Sequence, residues 1–319
     1  MTLHDGSRTD SDRESPGYVV GVDWGSSRLR IYLIDRELNV VEEDGSSAGI
    51  LFGREGVANH EISDRIESLR AGRTVSAVVI SGMAGSASGL IHTPYAIVPI
   101  SMRSLTEASV SVGKIAGAPT WVLAGGVGKR DPVTGIADVM RGEEFEVLSA
   151  LALNNIDRPA MIVCPGTHSK WVEVEGMRIQ DLTTFVTGEV FAYLRDSSSL
   201  APLMTGPGGL DGFDEGLALA KGSKSLLNGV FQIRAGFLQG AIAPRAIAGM
   251  ASGLVIGIEI LDATDFGLQQ KELFLLGGSE LSRRYESALA MFGLNFSVLQ
   301  SRVGWNYGQM ASALLSERG

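Results

Sequence analysis

An aspartate closes the first strand-like run of YVVGVDWGSSRLRIYLID, residues 18–35. A Gly-Thr-His-Ser-Lys run stands at the matching place in AMIVCPGTHSKWVEV, residues 160–174. Each stretch is a β-branched run, a tight turn of Gly and hydroxyl residues, and a second strand, which is a hairpin pattern. A carboxylate set among Val and Gly is costly unless it meets a cation or hydrogen-bond donors. Asp23 is therefore a candidate ligand for Mg²⁺, which takes one or two carboxylates and fills its other positions with phosphate oxygens and water. The N–H groups of Gly25, Ser26 and Ser27 would form an anion-binding concavity beside it. Gly166, Thr167 and Lys170 suit the same work in the second hairpin. His168 could orient a phosphate, although a lone His in a turn is more often simply hydrogen-bonded. Two such turns, one opening each half of the chain, read as two jaws for one phosphate chain.

Three further segments carry chemistry. FLLGGSELSRRY, 274–285, is a strand, a Gly-Gly turn and a helix capped by Ser279. Gly277 and Gly278, lacking Cβ, would let a flat ring or a phosphate lie against backbone near a helix N-terminus. ADVMRGEEFEVLSAL, 137–151, reads as a helix starting near Asp138, with Asp138 as cap. Glu143 or Glu144 could be a general base there, and Arg141 could hold an anion bidentately. A charged, solvated first turn would look the same. Arg234 sits between Ile233 and Ala235 in an apolar helix, where an arginine either pairs with an anion or snorkels. LAGGVGKRD, 123–131, is no P-loop, because Arg130 follows Lys129 and Leu123 stands where the first glycine is needed. No G-x-G-x-x-G opens a helix after a strand either, which disfavours a nicotinamide dehydrogenase.

Elements must hold these residues in place. Strands are expected at about 18–23, 28–35, 39–48, 75–81 and 119–124, with helices at 55–71 and from Asp138 to Asn154. The second half repeats that order, with strands at 160–164, 170–174, 177–184, 272–276 and 295–299. Its helices are expected at 188–196, 213–221, 223–240, 244–263, 279–292 and 305–318. Strands alternating with helices give an α/β class, with ligands at the carboxyl ends of strands, where Gly82, Gly125–Gly126 and Gly277–Gly278 fall. With 319 residues the length favours two domains. The division expected is a leader over 1–16, a first domain over 17–155 and a second over 156–304, with the closing helix packing back on the first.

A net charge of −9 without a basic block argues against nucleic acid. The longest apolar run, Ala246 to Ile258, is broken by Arg245 and Glu259 and falls short of the ~20 residues of a membrane span. Cys164 stands alone among apolar neighbours, which suits a buried small hydrophobe in a reducing compartment. The polar N-terminus is no signal peptide. The expected setting is cytoplasmic.

VDWGSSRLR, SGMAGSASGLIHTPYAIVP, DVMRGEEFEVLSA, CPGTHSKWVEV, TGEVFAYL, FQIRA, SGLVIGIE and LGGSELSRRY occur in that order over about residues 18–310. In them the chain resembles the 2-dehydro-3-deoxygalactonokinase family, sugar-acid kinases of the actin/hexokinase/Hsp70-like superfamily. The resemblance implies duplicated ribonuclease H-like domains, each a mixed sheet flanked by helices, with an interdomain cleft. It makes Asp23–Ser27 and Gly166–Lys170 the two phosphate motifs and Gly277–Ser279 the adenosine motif. It implies ATP and Mg²⁺ as cofactors and a sugar acid as substrate, with neither nucleic acid nor membrane as partner and a homodimer left open. Glu143 or Asp138 would then take the hydroxyl proton, and Arg141 or Arg234 the substrate carboxylate, with Gly82, Gly85 and Glu189 shaping the pocket. Ser27 stands where the family usually has Thr, and Ala87 and Leu90 where it has larger residues. The alternatives are a related kinase for another sugar or acid, and a nucleotide switch without sugar chemistry.

Overall fold

The computed structural model describes residues 17–25, 28–47, 57–87, 89–123, 126–204 and 210–318. In chain order its elements open with β1 (Tyr18–Trp24), β2 (Leu29–Ile34), β3 (Val40–Ser46), α1 (Val57–Arg70) and β4 (Val75–Gly82). Next come β5 (Ala96–Ile97), β6 (Ile100–Ser101), α2 (Met102–Glu107), β7 (Val110–Ile115), β8 (Ala118–Val122), β9 (Val127–Arg130), β10 (Ala137–Met140) and α3 (Glu143–Asn154). Then follow β11 (Ala160–Cys164), β12 (Ser169–Glu175), β13 (Arg178–Phe185), α4 (Thr187–Asp196), α5 (Phe213–Ser223), α6 (Leu226–Leu238) and α7 (Pro244–Asp265). The chain closes with β14 (Glu272–Leu276), α8 (Glu280–Met291), β15 (Phe296–Leu299) and α9 (Val303–Arg318).

These elements gather into two compact units, one taking the chain up to 94, 106–125 and 303 onward, the other 95–105 and 126–302. The first unit is built on a six-stranded sheet of order β3-β2-β1-β4-β8-β7. β1 to β3 form an antiparallel meander, β4 runs parallel to β1, and β8 runs parallel to β4. The central strands β1 and β4 are buried on both faces, which is why they read as near-continuous Val, Ile and Ala. β3 is largely exposed and carries Glu42, Glu43 and Asp44, charges suited to a strand at the sheet edge. Val20, Val22, Ile31, Val78 and Ile80 pack against Ile62 and Ile66 of α1. Each such buried aliphatic contributes about 1.5–3 kcal/mol. α9 packs into this unit, where Tyr307 and Ser81 share a 2.6 Å hydrogen bond between their hydroxyls.

The second unit repeats the plan, with a sheet of order β15-β14-β11-β12-β13-β6. β11 to β13 are again an antiparallel meander, and β14 and β15 continue parallel to β11. Meander plus two parallel strands in the order 3-2-1-4-5 is the ribonuclease H-like plan, present in both units. A second, three-stranded sheet, β10-β9-β5, also belongs to this unit. Residues 126–155 thus pack with the second unit, whereas the sequence reading assigned them to the first domain. β10 ties them there: both Asp138 carboxylate oxygens accept from Thr184 of β13.

The core of the second unit joins Val163, Trp171, Ile256, Ile260, Leu275 and Tyr285. α7, 22 residues long, is by length and composition apolar enough to cross a membrane. Here Ile247, Ala251, Leu254, Ile256 and Ile260 are all buried within the unit. The apolar run ends at Ile258, before Glu259, while the expected helix runs on to 263 and the observed one to Asp265. The helix continues through Glu259 because that carboxylate finds its partners inside the protein.

Candidate phosphotransfer site

In the first unit Asp23 lies near the end of β1, directly across from Arg30 of β2. Arg30 donates to the Asp23 carboxylate, which remains 28% exposed. The turn after it is closed by a 2.8 Å hydrogen bond from Gly25 N to the Arg28 carbonyl. Ser26, Ser27 and Gly125 lie outside the described residues, as does the 1–16 segment. β4 ends alongside at Gly82, whose φ is +77°. A Cβ there would lie 2.6 Å from the Trp24 carbonyl and 3.4 Å from Asp23 Oδ1, so only glycine lets the strand end come this close. The Gly85 carbonyl accepts from both Thr93 N, at 3.0 Å, and Thr93 Oγ1, at 3.1 Å. The fold therefore brings Asp23 and Gly82 together. A cavity of about 530 Å³ lined by Tyr18, Asp35, Arg36 and Arg73 opens at the other end of this sheet, away from Gly82.

The donor set around Asp23 suits Mg²⁺ as a companion of phosphate and does not suit a metal caged by protein alone. Among the described residues no three His, Cys, Asp or Glu side chains cluster as a metal site. One hard carboxylate leaves most of an octahedral shell for phosphate oxygens and water, which is the usual mode for this ion.

In the second unit β11 and β12 enclose the 165–168 turn. Lys170, cross-strand from Cys164, is only 3% exposed. The start of α4 braces the turn from behind. Glu189 N donates to the Thr167 carbonyl at 3.0 Å, and a Cβ on Gly188 would lie 2.6 Å from the Gly166 carbonyl and 2.7 Å from Thr167 Cα. His168 Nε2 lies 2.5 Å from Glu189 Oε2. Two residues read separately, one toward phosphate and one toward substrate, thus form a single pair. Burial pushes the Cys164 thiol well up, and the nearby Glu143 and Glu146 carboxylates push the same way while Lys170 opposes them. Cys164 is a core thiol, and Glu143 and Lys170 share its surroundings.

The helix expected from Asp138 begins five residues later. Asp138 lies in β10, paired with Lys129 of β9, and does not cap α3. The chain turns at Gly142, with φ +110°, and α3 starts at Glu143. Glu143 Oε2 accepts from Arg141 N at 3.1 Å, and Glu144 Oε2 from Gly142 N at 2.7 Å. Glu144 is 2% exposed, and its pKa is pushed up to about 8, first by burial and then by the neighbouring Glu143 charge. The Arg141 guanidinium sits 4.7 Å above the Tyr95 ring centre, and its buried Nη1 has no hydrogen-bond partner. An orphaned guanidinium N–H beside a carboxylate is what an anionic, hydroxyl-bearing ligand would complete.

After β14, Gly277 N donates to the Leu299 carbonyl at 2.9 Å, and Gly278 has φ +113°. Ser279 caps α8 through a reciprocal box with Ser282. Arg234 lies on α6 and donates to the Ser199 carbonyl at 3.1 Å.

Tyr95 and Glu259 are not singled out from the sequence alone. Tyr95 carried no signal beyond being aromatic. Glu144, named beside Glu143 as a candidate base, is set apart from it only by burial. Glu259 was read as a break, although a lone carboxylate inside an apolar helical run is itself a signal of a buried, partnered acid.

Two ribonuclease H-like units, each opened by a hairpin with a glycine turn, define an α/β protein of the actin-like ATPase class. A family model described as 2-keto-3-deoxy-galactonokinase matches residues 23–310, and the chain belongs to that family. It is 30% identical over 292 residues to 2-dehydro-3-deoxygalactonokinase of Escherichia coli (strain K12), covering 91% of this chain and 95% of that one. It is 29% identical over 303 residues to "Probable 2-dehydro-3-deoxygalactonokinase DgoK1" of Rhizobium meliloti (strain 1021), covering 93% and 97%. A crystal structure from Sinorhizobium meliloti, named for the same activity, superposes with a TM-score of 0.81 at 26% identity, covering 94% of this chain and 99% of that one.

Proposed function

We propose that this chain is an ATP-dependent sugar-acid kinase that converts 2-dehydro-3-deoxy-D-galactonate to its 6-phosphate in galactonate breakdown. The observation that carries the reading is the family match across residues 23–310. The site residues are consistent with it. The Gly25–Ser27 and Gly166–Lys170 turns hold the phosphates of ATP, with Lys170 supplying buried positive charge, and Gly277–Ser279 receives the adenosine. Asp23 would hold Mg²⁺, which would supply charge neutralisation to the phosphates. Arg141 takes the substrate carboxylate on its unpartnered Nη1, and Gly82 and Gly85 are assigned to substrate binding within the first unit.

In the reaction the terminal hydroxyl oxygen forms a bond to the γ-phosphorus. The bond from that phosphorus to the β-γ bridging oxygen breaks, and ADP leaves with the electron pair. The hydroxyl proton passes to a carboxylate. Of the two candidates Glu143 suits this better, because Asp138 spends both oxygens on Thr184, whereas Glu143 is oriented by a single backbone N–H. Phosphoryl transfer asks mostly for positioning and charge stabilisation, so a modest base suffices. A single buried cysteine and metabolic kinase relatives support a cytoplasmic setting.

Glu143→Gln, assayed for ADP release with ATP and saturating ketodeoxy acid, should lose about 10²–10⁴-fold in kcat. Retained turnover in Glu143→Gln with loss in Asp138→Asn would transfer the role to Asp138. Absence of ADP release by the wild type would remove the kinase reading itself.

A further inference from the structure

Glu259 has no place in the chemistry above, yet it is among the most buried acids in the molecule, 2% exposed in the middle of the second unit. Its Oε1 accepts from Trp171 Nε1 at 2.9 Å. Its Oε2 accepts from Thr187 Oγ1 at 2.6 Å and from Tyr285 Oη at 2.5 Å. Ser169, itself buried, stands beside them. An acid in such surroundings is unfavourable unless its partners are in place, so the geometry of the partners and of the acid is fixed together.

Those partners come from three elements, and each leads to a turn singled out above. Trp171 follows Lys170 in β12. Thr187 is the first residue of α4, and the next two residues touch the 166–168 turn, Gly188 by backbone contact and Glu189 N by its bond to the Thr167 carbonyl. Tyr285 lies in the second turn of α8, the helix capped by Ser279. One carboxylate on α7 thus holds the strand after one glycine turn, the helix behind it and the helix that follows the other.

We propose that Glu259 is a positioning residue for nucleotide binding, setting the 166–170 turn through Thr187 and Trp171 and the 277–279 turn through Tyr285. This rests on the reading of those turns as the phosphate and adenosine motifs. The carboxylate touches no ligand. It fixes the distance between two turns that must be correct for one nucleotide to meet both.

The test is calorimetric titration of ATP and AMP into the wild type, Thr187→Val, Thr187→Ser and Tyr285→Phe, with thermal stability measured alongside. Thr187→Val keeps the side-chain volume but removes one donor from the acid and frees the start of α4. It should weaken ATP about tenfold, the scale of one hydrogen bond to a charged group, while AMP stays within about twofold. Thr187→Ser should restore ATP binding. Tyr285→Phe should weaken ATP and AMP together, because it frees the helix behind the adenosine turn. Folded variants that hold both nucleotides within about twofold of the wild type would overturn the proposal, whatever their melting temperatures. If Thr187→Val does not fold, Tyr285→Phe decides by the same criterion. A wild type that binds neither nucleotide would overturn the kinase reading and this one with it.

Discussion

Glu144 keeps its proton where most glutamates have lost theirs, and that has a measurable sign. Its pKa rises from 4.5 to about 8 on folding, through burial first and the Glu143 charge second. Between those values the folded protein holds a proton that the unfolded chain releases. Stability must therefore fall as pH rises through that window, by on the order of 5 kcal/mol across the whole of it. Glu144→Gln imitates the protonated form and still accepts from Gly142 N. Urea unfolding at pH 5, 6.5 and 8 should show the wild type losing stability relative to the glutamine variant. Parallel pH profiles would mean that Glu144 ionises freely in the folded protein. Asp23 makes the opposite demand, since its proposed work needs the charge. Asp23→Asn should remain folded, because Arg30 is partly exposed and can turn to water. Turnover should fall by at least about a hundredfold, as on removing one charge-stabilising group from a phosphoryl-transfer site. Near-normal kcat with saturating ATP and acid would take Asp23 out of the mechanism.

At the scale of elements, α4 shows what could be read in advance and what could not. The run TGEVFAYL announces a helix after a strand, and β11 and β14 were placed to the residue because buried strands bounded by glycine leave few alternatives. The 137–151 segment was misread because Asp138 followed by Val-Met and two glutamates fits a capped helix as well as a short strand. The choice was made by β9, the hairpin strand just upstream, and by Thr184, 46 residues on, whose backbone and hydroxyl take both Asp138 oxygens. Local propensity contains neither fact. The short strands β5 and β6 were likewise invisible, since two residues carry no period. The turns themselves were legible, whereas the pairing of His168 with Glu189 and the bracing of Thr167 by α4 required the fold. That bracing yields a prediction. In Gly188→Ala the new methyl would lie 2.6 Å from the Gly166 carbonyl, so either the helix or the turn must shift. Overpacking of this kind costs about 1–3 kcal/mol in stability. A shifted turn should raise the KM for ATP more than that for the sugar acid. Equal change in both constants, or in neither, would detach α4 from the nucleotide.

For the molecule as a whole, the duplication is what made the class legible. Two copies of one strand order, each with a glycine turn after its first strand, are hard to obtain from a pattern of apolar runs by accident. Stereochemistry is set by fewer residues, and the resemblance marks a departure there. By the resemblance, Ala87 and Leu90, just after the SGMAGS run at 81–86, stand where the family has larger side chains, close in sequence to Gly82 and Gly85. Smaller residues lining a substrate pocket would widen it, and one missing methylene in an apolar wall is worth only about 1–3 kcal/mol of discrimination. The wild type should therefore accept 2-dehydro-3-deoxy-D-galactonate best while still turning over its C4 epimer, with a ratio of kcat/KM near the lower end of that range, about tenfold. Ligand-induced stabilisation reads the same preference without turnover. A ligand at a hundred times its Kd adds about 2.7 kcal/mol, roughly 5–10 °C for a domain of this size. With Mg²⁺ and a non-hydrolysable ATP analogue present, the galactonate-derived acid should raise Tm more than its epimer at equal concentration. Ala87→Trp should narrow the wall and enlarge the gap between the two. An epimer that binds and reacts better than the galactonate series would move the substrate assignment to another ketodeoxy acid while leaving the phosphate-binding turns untouched. Turnover of neither acid, with ATP still bound, would separate the nucleotide site from sugar-acid chemistry altogether.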